Sequence, residues 1–153
     1  MPRIRRSADV VWEGNLARGT GRISAGTGAF SSLPYSLPVR IEAPADKTSP
    51  EELVAAAHAG CFGMSLAGEL TGVGAPPGRL EVTCTVTMDE VEGKGHVIVD
   101  STIEASAHVA GIEPDAFQGA VEAADAGCSL SQLIRASASV SVNARLEEEN
   151  DGD

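Results

Sequence analysis

The feature that most limits what this chain can fold into is the run Leu53–Leu70, which holds no proline and a single carboxylate, Glu69. Ahead of it, Thr48-Ser49-Pro50-Glu51-Glu52 supplies a hydroxyl to cap a helix, a proline for its first turn and two carboxylates for its positive end. The pattern predicts a helix from Pro50 to about Leu70, ended by the Gly72–Gly78 stretch with Pro76 and Pro77. With so little charge on any side, such a helix is expected to be covered on most of its surface.

The flanking elements read mostly as strands. Val10 and Trp12 alternate within Ser7–Glu13, Gly14, Gly19 and Gly21 interrupt, and a partner strand begins near Arg22. Leu37–Glu42 is expected to be extended, because Pro34 and Pro38 disfavour helix there. These pieces suggest an antiparallel meander. Between Arg79 and Asp89, Leu80, Val82, Cys84, Val86 and Met88 share one face, with Glu81, Thr83, Thr85 and Thr87 on the other. His96–Val109 returns after Glu92-Gly93-Lys94-Gly95, which makes a long hairpin. Glu113-Pro114 opens a second helix to about Ala126, Ser129–Arg135 reads as a short third one, and Ala136–Leu146 alternates as a last strand. The class is α+β, and 153 residues fit a single domain spanning 1–153.

Only 3% of the residues are aromatic and 17 are glycine, so one copy has a thin core and subunit association is expected. A net charge of −11 argues against nucleic acid, whose phosphates need clustered Lys and Arg. Part of that charge is the run Glu147–Asp153, expected to be a solvated, disordered tail. No apolar stretch is expected to reach the ~20 residues that span a bilayer. The basic start, Met1-Pro2-Arg3-Ile4-Arg5-Arg6, lacks the apolar segment of a signal peptide. The chain is therefore expected to be cytoplasmic, with no membrane partner.

Three cysteines do not make a disulfide scaffold. Cys84, flanked by Val82 and Val86 on the apolar strand face, reads as a structural, hydrophobe-like thiol. Cys61 lies mid-helix, too far from either end for the helix dipole to act on it. It is a packing residue unless a cation is brought to it from elsewhere. Cys128 precedes Ser129-Leu130-Ser131-Gln132 at a helix N-terminus, where a thiol pKa falls, so local physics makes it the better nucleophile unless it only caps the turn. His58 and Cys61 are three residues apart on one helix face, but no second Cys/His pair stands at ligand spacing, so no metal is expected. His58 reads as a buried, hydrogen-bonded polar group, His96 and His108 as surface residues. With no phosphate-binding glycine loop and no Gly-x-Ser-x-Gly elbow, no cofactor is expected.

Taken together, Ser49-Pro50-Glu51-Glu52-Leu53-Val54-Ala55-Ala56-Ala57-His58-Ala59-Gly60-Cys61-Phe62 and Ala126-Gly127-Cys128-Ser129-Leu130-Ser131-Gln132 resemble the OsmC/Ohr family of osmotically induced and organic-hydroperoxide-resistance proteins. Trp12-Glu13-Gly14, Arg18-Gly19-Thr20-Gly21 and Pro34-Tyr35 are similar to its OsmC branch. The resemblance runs from about Asp9 to Leu146. It implies antiparallel sheets wrapped around central helices in an intertwined homodimer, with active sites at the subunit interface. It also implies a two-cysteine peroxidase: Cys61 as the peroxidatic thiol, Cys128 as the resolving one, Arg40 as the catalytic arginine and Glu51 as its partner carboxylate. Arg18 is the fallback arginine. The implied partners are an organic hydroperoxide and a lipoyl-type dithiol reductant.

The resemblance thus favours Cys61 as first nucleophile where helix position favours Cys128. Glu51 and Cys61 are ten residues apart on one helix, ~15 Å along its axis, beyond hydrogen-bond reach. Two such helices crossing antiparallel near Ala56 would bring each Glu51 beside the other copy's Cys61. Alternatively Glu51 only caps its helix and Ala55–Ala57 pack on the chain's own sheet. Two other functions fit the same fold: a non-catalytic, stress-related binding protein whose thiols only pack, and a general thiol–disulfide exchanger, for which no Cys-x-x-Cys is present.

Overall fold

The glycines of the N-terminal third decide how its strands come together. The computed structural model describes residues 2–42 and 46–148, and the chain forms two compact units, Met1–Leu53 and Val54–Asp153. In the first, β1 (Ala8–Glu13), β2 (Thr20–Ala25) and β3 (Leu33–Tyr35) form an antiparallel sheet in that order. Its register pairs Trp12 with Gly21 and Gly21 with Tyr35. The two rings close over that glycine, with centroids 5.6 Å apart and planes tilted by 58°. A Cβ at Gly21 would lie 2.2 Å from the Tyr35 ring and 2.8 Å from that of Trp12. Only glycine fits.

The expected extended stretch after β3 is instead a short helix, α1 (Leu37–Ile41). Pro38 stands in its first turn, where a missing N–H costs nothing, so the proline starts this helix rather than preventing it. Helix α2 (Pro50–Gly72) follows, capped as expected: the Ser49 hydroxyl accepts the Glu52 N–H at 3.1 Å.

In the second unit, β4 (Arg79–Val91) and β5 (Gly95–His108) make the long hairpin, with one irregularity between Thr87 and Met88. Helices α3 (Pro114–Gly127) and α4 (Ser129–Arg135) match their expected bounds closely. The last strand, β6 (Ser139–Leu146), pairs with β5 in parallel, so this sheet is mixed rather than antiparallel throughout. The physical reason is the crossover: α3 and α4 carry the chain back so that β6 runs in the direction of β5.

The core of this unit joins Phe62, Leu66 and Leu70 of α2 to Ile103, Ala105 and Ala107 of β5 and to Phe117, Val121 and Ala124 of α3. Each large side chain there contributes about 1.5–3 kcal/mol by leaving water. The buried residues of α2 are His58, Phe62, Leu66 and Leu70, one stripe four residues apart, rather than most sides of the helix. Ala56, Ala57 and Met64 remain exposed. Helix α2 has 23 residues and holds an 18-residue window with a mean hydropathy of 1.3, long and apolar enough to cross a bilayer by length and composition, contrary to the sequence expectation. Its one buried stripe packs on β5 and α3. Glu147, placed by the sequence in the acidic tail, donates its N–H to the Ala107 carbonyl at 2.9 Å. Residues 149–153 lie outside the described residues.

Candidate active site

Cys128 is the single residue between two helices. Its extended backbone, φ −72° and ψ 115°, lets its N–H close the end of α3 on the Asp125 carbonyl at 3.3 Å. Its sulfur accepts the Ser131 N–H at 3.4 Å and so caps α4. The side chain is fully buried.

Cys61 projects from α2 onto this corner. Its sulfur lies 3.2 Å from that of Cys128 and 3.6 Å from the Ser129 hydroxyl, and both cysteines are free thiols. A disulfide has S–S near ~2.05 Å, so the pair closes with about 1 Å of movement. Burial pushes the Cys61 thiol up, but four donors to its sulfur overcome that: the Leu130 N–H, the Ser129 hydroxyl, the Cys128 thiol and the Ser129 N–H. The net result is below the ordinary thiol value of 9.0. The expectation that a mid-helix Cys61 gains nothing from a helix end is therefore corrected. It gains nothing from its own helix, but the first N–H groups of α4 reach it. The helix position that argued for Cys128 serves the neighbouring sulfur, and of the two Cys61 is the one that solvent reaches.

Behind the pair, one turn before Cys61 on α2, His58 is completely buried and both ring nitrogens are engaged. Nδ1 shares a hydrogen bond with the Ser101 hydroxyl of β5 at 2.7 Å, and Nε2 one with the Ser131 hydroxyl of α4 at 2.8 Å. Burial pushes its pKa below 6.5, with Asp125 opposing and Arg135 adding, so the ring is neutral near pH 7. One nitrogen then donates and the other accepts. Cys84 touches the same array, 3.2 Å from the Ser101 hydroxyl and 3.7 Å from His58 Nδ1. Burial pushes this thiol up, the Ser101 hydrogen bond opposes, and Asp100 adds. It stays protonated near pH 7.

The other two expected site residues also meet, within the first unit. Arg40 donates from Nε at 2.8 Å and from Nη2 at 2.7 Å, both to Oε1 of Glu51. The fork grips one oxygen instead of two, and Oε2 is buried with no hydrogen-bond partner among the described residues. Arg18, the fallback, forms no ion pair among the described residues. A second pair, Arg135 with Asp125 at 2.7 Å, ties the end of α4 to that of α3. No cluster of metal-ligating side chains occurs among the described residues. A groove of about 910 Å³ runs along β4–β6 past Glu81, Glu104, Asn143 and Arg145, and is lined by none of the expected site residues. Sequence reading missed Ser101 and Ser131. Their only signal is a hydroxyl on an otherwise apolar, buried face.

The family model for OsmC-like protein matches residues 43–143. The chain belongs to the OsmC-like family. Peroxiredoxin OsmC of Escherichia coli (strain K12) is 35% identical over 133 residues, covering 87% of this chain and 92% of that protein. Among solved structures, OsmC-like folds include an organic hydroperoxide resistance protein from Elizabethkingia anophelis, at TM-score 0.72 and 20% identity over 95% of this chain and 100% of that one. The organic hydroperoxide resistance protein OhrB of Bacillus subtilis gives TM-score 0.66 and 23% identity over 92% and 98%. At these identities the structural likeness establishes the OsmC-like α+β fold.

Proposed function

We propose that this single-domain OsmC-like protein is a thiol peroxidase that reduces organic hydroperoxides to alcohols with Cys61 and Cys128. The observation that carries the reading is the Cys61 sulfur, lowered in pKa by α4 donors and 3.2 Å from a buried second thiol. The name of the 35%-identical relative, Peroxiredoxin OsmC, supports it.

The Cys61 thiolate attacks the terminal peroxide oxygen. The O–O bond breaks, the alkoxide takes a proton and leaves as the alcohol, and Cys61 becomes a sulfenic acid. The Cys128 thiol then attacks that sulfur, water leaves, and the Cys61–Cys128 disulfide forms. A dithiol of the lipoyl type returns both cysteines to thiols and is itself oxidised to a cyclic disulfide. The exposed apolar side chain of Met64, one turn after Cys61 on α2, favours alkyl hydroperoxides over hydrogen peroxide. The enzyme acts in the cytoplasm, whose reducing poise suits free cysteines.

Arg40, fixed by Glu51, supplies the cation that orients the peroxide and holds the thiolate. Ten residues of helix, ~15 Å of rise, separate Glu51 from Cys61, so each site takes its cysteines from one copy and its Arg40–Glu51 pair from the other. The exposed Ala56 and Ala57 on α2 suit the close helix approach that such a homodimer needs.

Stopped-flow kinetics with cumene hydroperoxide and hydrogen peroxide test the activity. Faster reaction with the organic substrate, with two thiols consumed per peroxide, supports the reading. Unreactive thiols would leave a binding protein of the same fold, and disulfide reductase activity without peroxide an exchanger.

A further inference from the structure

His58 does nothing in the peroxidase cycle just described, yet it is among the most completely buried polar side chains of the molecule and spans three elements. It sits one turn before Cys61 on α2. Through Nε2 it holds Ser131, whose N–H in turn donates to the Cys128 sulfur. The same turn of α4 presents the Ser129 hydroxyl at 3.6 Å from the Cys61 sulfur. A single imidazole thus ties the helix that carries one cysteine to the turn that carries the other. We propose that His58 is a positioning residue, whose Nε2–Ser131 bond sets the α4 turn against Cys61 and thereby fixes both the donors around that sulfur and the distance to Cys128.

The groups facing the ring identify which bond matters. Asp125 of α3 and Arg135 of α4 are paired with each other at 2.7 Å, and Cys84 of β4 lies at 3.7 Å from Nδ1. Neither of these side-chain contacts involves Cys61 or Cys128. The Nδ1–Ser101 bond anchors the ring to β5, and the Nε2–Ser131 bond passes that anchorage on to α4. The inference rests on the peroxidase reading for its biological meaning, but its geometry concerns two sulfurs and can be measured without peroxide.

The test separates the two nitrogens. In His58→Gln the side-chain amide occupies the place of Nε2 and keeps the bond to Ser131. In His58→Asn it occupies the place of Nδ1 and keeps only the bond to Ser101. His58→Leu keeps neither, and Ser131→Ala keeps the backbone donor to Cys128 while removing the tether. Two readouts are taken on each folded variant: the pH midpoint of Cys61 alkylation by iodoacetamide, and the rate of Cys61–Cys128 disulfide formation with diamide, whose azo bond takes up the two electrons and two protons released by the thiols. The expected result is an upward shift of about one pH unit and about tenfold slower disulfide formation in His58→Asn, His58→Leu and Ser131→Ala. His58→Gln should stay near the parent protein. Equal behaviour of the Asn and Gln variants, or unchanged values in all four, would overturn the proposal. Failure of the parent protein to consume cumene hydroperoxide would instead sink the peroxidase reading and leave these diamide and alkylation outcomes standing.

Discussion

Cys61 and Cys84 are both partly buried free thiols of the second unit, yet they are pushed in opposite directions. Both lose water. What differs is the supply of donors. Cys84 has one hydroxyl, that of Ser101, and a neighbouring carboxylate, Asp100, that opposes ionisation. Cys61 has two backbone N–H groups, a hydroxyl and a thiol converging on it from the α3–α4 corner. Burial alone therefore does not set the direction in which a thiol's pKa moves. The donors of a neighbouring chain turn do, and that turn comes from 67 residues further along the sequence.

The largest expected effect separates the two roles at the corner. Cys61→Ser should abolish peroxide consumption. Cys128→Ser should allow one turnover and leave a sulfenic acid, detectable by dimedone adduct formation, on Cys61. Oxidised sulfur on Cys128 in the Cys61→Ser protein would reverse the assignment.

Next comes the pairing of copies. A mixed dimer of Glu51→Ala with Cys61→Ser chains puts both defects in one pocket if the site is shared, and activity should recover to about half of the parent value. If each copy is self-sufficient, one pocket lacks Glu51 and the other Cys61, and mixing should restore nothing.

A smaller effect concerns the His58 array, which Cys84 touches. His58 is held neutral, with its pKa below 6.5 chiefly because it is buried. The unfolded chain then binds more protons than the folded one between the folded pKa and 6.5. Stability from this group is complete above pH 6.5 and is lost as pH falls through that window. Urea midpoints measured from pH 7.5 downward should fall, and the fall should be shallower in His58→Gln.

The smallest effect is at Cys84 itself. Cys84→Ala should leave turnover nearly intact and cost about 1 kcal/mol, through the lost contact with Ser101. Turnover reduced tenfold would place Cys84 among the reacting groups and dissolve the contrast with Cys61.

Much of this was legible in the sequence, for reasons that can be named. Helix α2 announces itself by its cap and its uncharged run, β4 by strict alternation, and α4 by the break at Gly127. These are local signals. Pro38 misled because one residue type both starts and stops helices, and only the following turn decides which. The parallel pairing of β6 was hidden because alternation gives a strand's faces and not its direction. The pair Arg40–Glu51 was expected, but the grip of both nitrogens on one oxygen was not. At the cysteines the sequence showed a helix end beside Cys128 and could not show that its donors turn toward Cys61. That contact, like those of His58 with Ser101 and Ser131, depends on tertiary packing over 43 to 73 residues of separation.

The most direct measurement maps the thiols of the reduced parent protein after one equivalent of cumene hydroperoxide. Free cysteines are alkylated, the protein is digested without reduction, and the peptides are identified by mass spectrometry. The expected result is a linked Cys61–Cys128 peptide with Cys84 alkylated. A disulfide that includes Cys84, or three alkylated cysteines with the peroxide unconsumed, would contradict the assignment of the chemistry to the α2 and α3–α4 sulfurs.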